Sequence, residues 1–142
     1  MPLTESGLYR VGLLIHLMDE ALSRLPPVAG TFRRGIDPSG LGERRTDFLK
    51  AHTRRGRIVA WEGYTSVMDG EPYEGRAQFI LHIRSARDLR EFSVKGEHEL
   101  ILPRSTRIRI IDYRVESDYY VIEAEETDDE RPIRRDNRFH VE

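Results

Sequence analysis

Phe92-Ser93-Val94-Lys95-Gly96-Glu97-His98-Glu99-Leu100-Ile101-Leu102-Pro103 runs from a polar loop into a short apolar strand, with two carboxylates two residues apart at the join. In a strand successive side chains alternate faces, so Glu97 and Glu99 point one way while His98 and Leu100 point the other. Like charges on one face repel and resist burial, so the core of a small domain has no use for the pair. The arrangement calls for a cationic or electron-poor partner.

Two further pieces carry polar groups beside glycine. Thr31-Phe32-Arg33-Arg34-Gly35 reads as a strand ending in arginine and glycine, and Trp61-Glu62-Gly63-Tyr64-Thr65-Ser66 as a broken strand that resumes. An Arg-Gly pair or an acid-x-acid triplet alone is common. In this order and spacing the three pieces, with Phe79, the Asp88-Leu89 turn, Ser93 four residues before Glu97, and Glu99-Leu100-Ile101-Leu102-Pro103, resemble the arginine–serine–glutamate class of mono-ADP-ribosyltransferases, which includes bacterial toxins and vertebrate ecto-enzymes. The resemblance spans Leu8 to Glu126.

It implies an α+β fold of two packed, mostly antiparallel sheets, a split β-sandwich, with N-terminal helices. It implies NAD as the substrate that donates ADP-ribose. Arg34 corresponds to the strand arginine that contacts the NAD phosphates, a task suited to a planar guanidinium fork, and Gly35 favours Arg34 over Arg33 for that place. Ser66 corresponds to the serine that positions the catalytic glutamate, with Tyr64 the aromatic two residues before it. The class commonly reads Ser-Thr-Ser where this chain has Ser66-Val67-Met68, so two hydroxyls are missing and Thr65 is a candidate substitute. Glu99 corresponds to the catalytic glutamate, stabilising the positive charge that develops on the ribose as nicotinamide leaves. Glu97 corresponds to the residue that pairs with the acceptor; in this class glutamate there accompanies modification of arginine. Phe92 to Gly96 corresponds to the acceptor-recognition loop, with Phe92 touching the target or packing in the core. Trp61 and Tyr64 could stack nicotinamide or serve the core.

Composition bounds these expectations. With 142 residues the chain is one domain, and 38% hydrophobic against 34% charged content describes a soluble protein with a modest core. No run is long enough to span a membrane, and the segment from Val11 to Met18 lacks the flanks of a secretion signal, so it reads as helix. Without cysteine there are no disulfides or cysteine-ligated zinc. The five histidines show no paired spacing and the acids form no calcium loop, which predicts no metal. No glycine-rich phosphate cradle is present, so NAD would not be held in a Rossmann manner. The net charge of −2 argues against a general polyanion binder, although Leu41 to Arg57 holds six basic and two acidic residues.

The elements that must position these groups follow from periodicity. Apolar residues three and four apart over Thr4 to Leu25 predict a helix, capped at Thr4 or Ser6 and ended by Pro26-Pro27. Val28 to Arg34 predicts a strand, and Asp37-Pro38-Ser39-Gly40 a turn. Glu43 to Thr53 predicts a second helix with Phe48 and Leu49 inward. Strands are expected at Ile58 to Trp61, Tyr64 to Val67, Ala77 to Ile83, Glu99 to Leu102, Arg107 to Tyr113 and Tyr119 to Ala124, with a surface loop at Asp69 to Gly75. Residues 1–126 then form the catalytic domain, and 127–142 a charged C-terminal tail, sparse in apolar residues and expected to be mobile.

The resemblance implies a bacterial toxin or effector domain, secreted or delivered into a target cell and acting in its cytoplasm, with a macromolecular target and, by analogy, a neutralising immunity protein. Two rivals stay open: the same chemistry with water (an NAD glycohydrolase) or nucleic acid such as RNA as acceptor, and an inactive module that only binds NAD or a partner.

Overall fold

The computed structural model describes residues 5–68, 75–89, 100–117 and 119–141, with side chains from residue 14 onward. Helix α1 spans Glu5–Ser23, strand β1 Val28–Ile36, a short 3₁₀ helix Pro38–Arg44, helix α2 Arg45–His52, and strands β2 and β3 Ile58–Trp61 and Thr65–Val67. Strands β4 (Ala77–Asp88), β5 (Leu100–Leu102), β6 (Thr106–Glu116) and β7 (Tyr119–Glu126) follow, and the chain closes with a 3₁₀ turn at Arg135–Asn137 and strand β8, Arg138–Phe139. The order matches the expected α+β pattern.

The main sheet runs β1-β4-β7-β6-β2-β8, and β5 joins it at the far end of β4 with β3 beyond. The two sheets are therefore joined through β4, which pairs with β1 along most of its length, with β7 from Ala77 to His82, and with β5 at Arg87 and Asp88. Of the seven strand pairings among the described residues, only β4·β7 and β2·β8 are parallel.

Strand β4 is longer than alternation predicts, continuing past Ile83 through Arg84, Ser85 and Arg87. Charged residues stay extended here because partners satisfy the backbone: Val28 pairs with Ala86, and the Glu126 carboxylate accepts the N–H groups of Arg84 at 3.1 Å and Ser85 at 3.0 Å. Ala86, facing inward, is fully buried. Entry to β4 depends on Gly75, where any Cβ would lie 2.7 Å from the Ile36 nitrogen.

Helix α2 covers the core face of the sheet. Asp37 starts the preceding turn by accepting from Ser39 N at 3.1 Å, with Pro38 in the first helical position. Phe48 then packs edge-on against Phe79 and Phe139, with ring centroids 6.0 and 5.2 Å apart. His52, fully buried in the same cluster, shares Nδ1 with the Phe48 carbonyl at 2.7 Å and accepts the Trp61 indole N–H on Nε2 at 3.0 Å.

Two expectations are corrected. Residues 127–141 are no loose tail: β8 pairs in parallel with β2, and Phe139 and Val141 are both 2% exposed within the core. Their few apolar residues are enough because two of them fall at inward positions. Over its described side chains, from residue 14 on, helix α1 buries less than its apolar stripe suggests, since Leu14 and Met18 are 65% and 38% exposed while Leu22 is buried. It is tethered instead by polar contacts along one line, described below.

Candidate functional site

Alternation along β1 decides between the two arginines. Phe32 and Ile36 face the core, and Arg34, between them on the same face, is half-buried, whereas Arg33 is exposed. The Arg33 backbone bridges Met68, donating to its carbonyl at 2.7 Å and accepting from its N–H at 2.9 Å, which seats β3 beside β1. Across that bridge the Arg34 guanidinium donates from Nη1 to the Ser66 carbonyl at 3.2 Å. Gly35 is buried and paired with Gln78.

Strand β3 next orders three neighbours. Thr65 and Val67 face the core and Ser66, half-buried, the opposite side. Val67 is 1% exposed within the hydrophobic cluster, so a hydroxyl at that position would be buried among apolar groups. Thr65, the candidate substitute hydroxyl, is equally buried and donates to the Val141 carbonyl at 3.5 Å, on the face away from Ser66. Trp61 is fully buried and belongs to the core.

Strand β5 pairs with β3, setting Leu102, Ile101 and Leu100 opposite Thr65, Ser66 and Val67. The segment from Glu97 to Glu99 enters this strand through the peptide bond to Leu100. Glu97, His98, Glu99 and Phe92 lie outside the described residues. The structure thus brings Arg34, Ser66 and the entry of β5 together on three adjacent strands.

Tyr64 points elsewhere. Its hydroxyl donates to α1, to the Ile15 carbonyl at 3.1 Å and to Asp19. Burial first, then the hydrogen bond to Asp19, raises its pKa, so the phenol stays a neutral donor. Arg104, in the turn between β5 and β6, grips the same Asp19 carboxylate and, by its hydrogen bond, holds that carboxyl below the usual aspartate range. A second arginine, Arg87, donates from Nε to the Leu22 carbonyl at 2.9 Å. Together these contacts dock α1 against the turn that leads into Ser66. Sequence reasoning missed Asp19 and Arg104, which stand 85 positions apart. One signal was available: Asp19 falls four residues after Ile15 and three before Leu22, an acid on the inward line of a helix.

The sequence matches no family model and no curated protein. Its fold, by contrast, has solved counterparts. The Salmonella SpvB ATR domain superposes with a TM-score of 0.75 at 17% identity, over 90% of this chain and 77% of that one. The C3larvin toxin, an ADP-ribosyltransferase from Paenibacillus larvae, gives 0.61 at 22% identity over 83% and 72% of the two chains. The ADP-ribosyltransferase Vis, solved in complex with agmatine, gives 0.67 at 18% identity over 96% and 66%. The chain has the fold of the bacterial ADP-ribosyltransferase toxins.

Proposed function

We propose that this chain is a mono-ADP-ribosyltransferase that transfers ADP-ribose from NAD to a protein arginine, as a toxin or effector domain delivered into a target cell. The observation that carries the reading is the Arg34 guanidinium set against the Ser66 carbonyl at 3.2 Å, with the strand that follows Glu99 paired directly to β3, in an ADP-ribosyltransferase fold.

Arg34, half-buried and braced by main chain, is preorganised to hold a phosphate of NAD. Ser66 orients Glu99, and Glu99 stabilises the positive charge developing on the ribose. The bond from ribose carbon to nicotinamide nitrogen breaks, and nicotinamide leaves with the electron pair. A guanidinium nitrogen of the acceptor bonds to that carbon and gives up a proton, which Glu97 accepts. Agmatine, present in the Vis complex, carries a guanidinium group, and this supports an arginine-like acceptor. Phe92 contributes to acceptor recognition.

The test is incubation of the domain with labelled NAD and a host-cell lysate, following label in protein, in nucleic acid and as free ADP-ribose. Label on protein arginine, lost in Glu99→Gln, is the expected result. Free ADP-ribose alone would make the protein a glycohydrolase, label in RNA would move the acceptor to nucleic acid, and an intact NAD pool would remove the enzymatic reading.

A further inference from the structure

Two segments remote in sequence meet on one surface. The residue just before α2 and the residue just before β2 bring Arg44 and Arg57, and the chain after β7 brings Arg131, Arg134 and Arg135. The fold locks them together: the Arg44 guanidinium lies 4.5 Å over the Phe139 ring and donates to the Arg135 carbonyl at 3.1 Å. Two concavities result, sharing Arg134 as common wall. The first, of about 250 Å³, is lined by Arg57, Arg131 and Arg134 around Ile58, Pro132 and Ile133. The second, of about 590 Å³, lies among Arg44, Asp47, Arg134, Arg135 and Asp136.

The charges here are unequally neutralised. Arg131 is paired with Asp129 at 2.7 Å and Arg44 with Asp47 at 3.7 Å, whereas Arg57, Arg134 and Arg135 form no ion pair among the described residues. Three unneutralised guanidinium groups beside an apolar floor form a recognition surface, because planar guanidinium forks pair bidentately with carboxylates while the floor takes an aliphatic side chain. The strand order sets this surface at the β2-β8 edge of the main sheet, at the other end from β1 and Arg34.

We propose that this groove docks an acidic segment of a protein partner. Carboxylates of the segment pair with Arg57, Arg134 and Arg135, and an apolar residue beside them rests on Ile58, Pro132 and Ile133. A nucleic acid fits less well. The lining offers no aromatic ring for a base to stack on.

Fluorescence anisotropy on the intact protein tests this with three probes of equal net charge: a peptide of glutamates interspersed with leucine, the same peptide with serine for leucine, and a single-stranded RNA oligonucleotide. The leucine-containing peptide should bind most tightly and weaken as salt rises. The double variant R134E/R135E should lose about tenfold or more of that affinity, while Arg114→Glu, an exposed arginine on β6, should leave it unchanged. Circular dichroism confirms that both variants are folded. Tightest binding by RNA, equal binding of the two peptides, indifference to R134E/R135E, or no binding would each overturn the proposal. The readout is binding alone, so it stands or falls separately from the transferase reading.

Discussion

At the scale of single residues, division of labour between two carboxylates is the sharpest question. Glu97 and Glu99 carry the same group and differ only in position. Glu99→Gln should lower both arginine transfer and NAD hydrolysis roughly 10²–10³-fold, the cost of removing one preorganised charge from a transition state. Glu97→Gln should instead abolish transfer to arginine while NAD hydrolysis persists, and paired assays of nicotinamide release and protein label separate the two. His52 presents a different residue-scale test. Burial pushes its pKa down to about 4, because the imidazolium would be desolvated and would turn a second donor toward the Trp61 N–H. With an unfolded pKa of about 6.5, the unfolded chain binds a proton between pH 6.5 and 4 that the folded chain refuses. Stability is therefore flat above pH 6.5 and falls through that window, by on the order of 3 kcal/mol from this group. Urea titrations across pH 4 to 7 should show the slope in the native protein and a shallower one in His52→Gln. Nothing in the local sequence marked His52 as buried, since its environment is made by Phe79, Trp61 and Phe139 from three distant strands.

At the scale of elements, α1 is tethered through polar contacts at a few points more than by a broad apolar face. Asp19, Tyr64 and Arg104 join the helix to both segments that flank the β3-β5 pair. Asp19→Asn should leave the sheet intact yet speed hydrogen exchange of α1 amides relative to β4 amides, and slow exchange at both would remove this account of the helix. The strands were legible from their alternation wherever one face is buried, as in the buried Ile108 and Ile110 of β6 and Ile122 and Ala124 of β7. The extension of β4 was not legible, because charged residues remain extended only when neighbours supply hydrogen bonds. Helix α1 was legible as a helix, while the burial of its stripe was not: periodicity reports which residues share a face, not whether another element covers it.

At the scale of the whole molecule, the C-terminal segment closes the fold. Phe139 packs against both Phe48 and His52, the Val141 carbonyl accepts from Thr65, and the backbone of Glu62 donates to the Phe139 carbonyl at 2.8 Å. Phe139→Ala should cost about 3–5 kcal/mol, and truncation after residue 126 should abolish cooperative unfolding, both readable from denaturant melts. A truncated chain that melts like the full one would return the segment to the status of an appendage. The same closure reverses the sense of the composition there: Glu123 to Glu142 carries eight acids against four basic residues, yet the fold sets Arg134 and Arg135 beside Arg44 and Arg57 and pairs Asp128 with Arg84 at 3.0 Å on another side.

By itself the sequence determined the order of helices and strands, the α+β class, and the three polar stretches whose spacing resembles a known enzyme class, since these rest on period, turn chemistry and local residue types. Tertiary structure decided which of two adjacent arginines turns inward, which hydroxyl of Thr65 and Ser66 shares their strand's core face, what becomes of residues 127–141, and which cations share a surface. Those outcomes depend on contacts between residues far apart in the chain. Arg34 meets Ser66 across 32 positions and Arg44 meets Arg135 across 91, and no local pattern records which side chains a closed fold will bring within hydrogen-bonding distance.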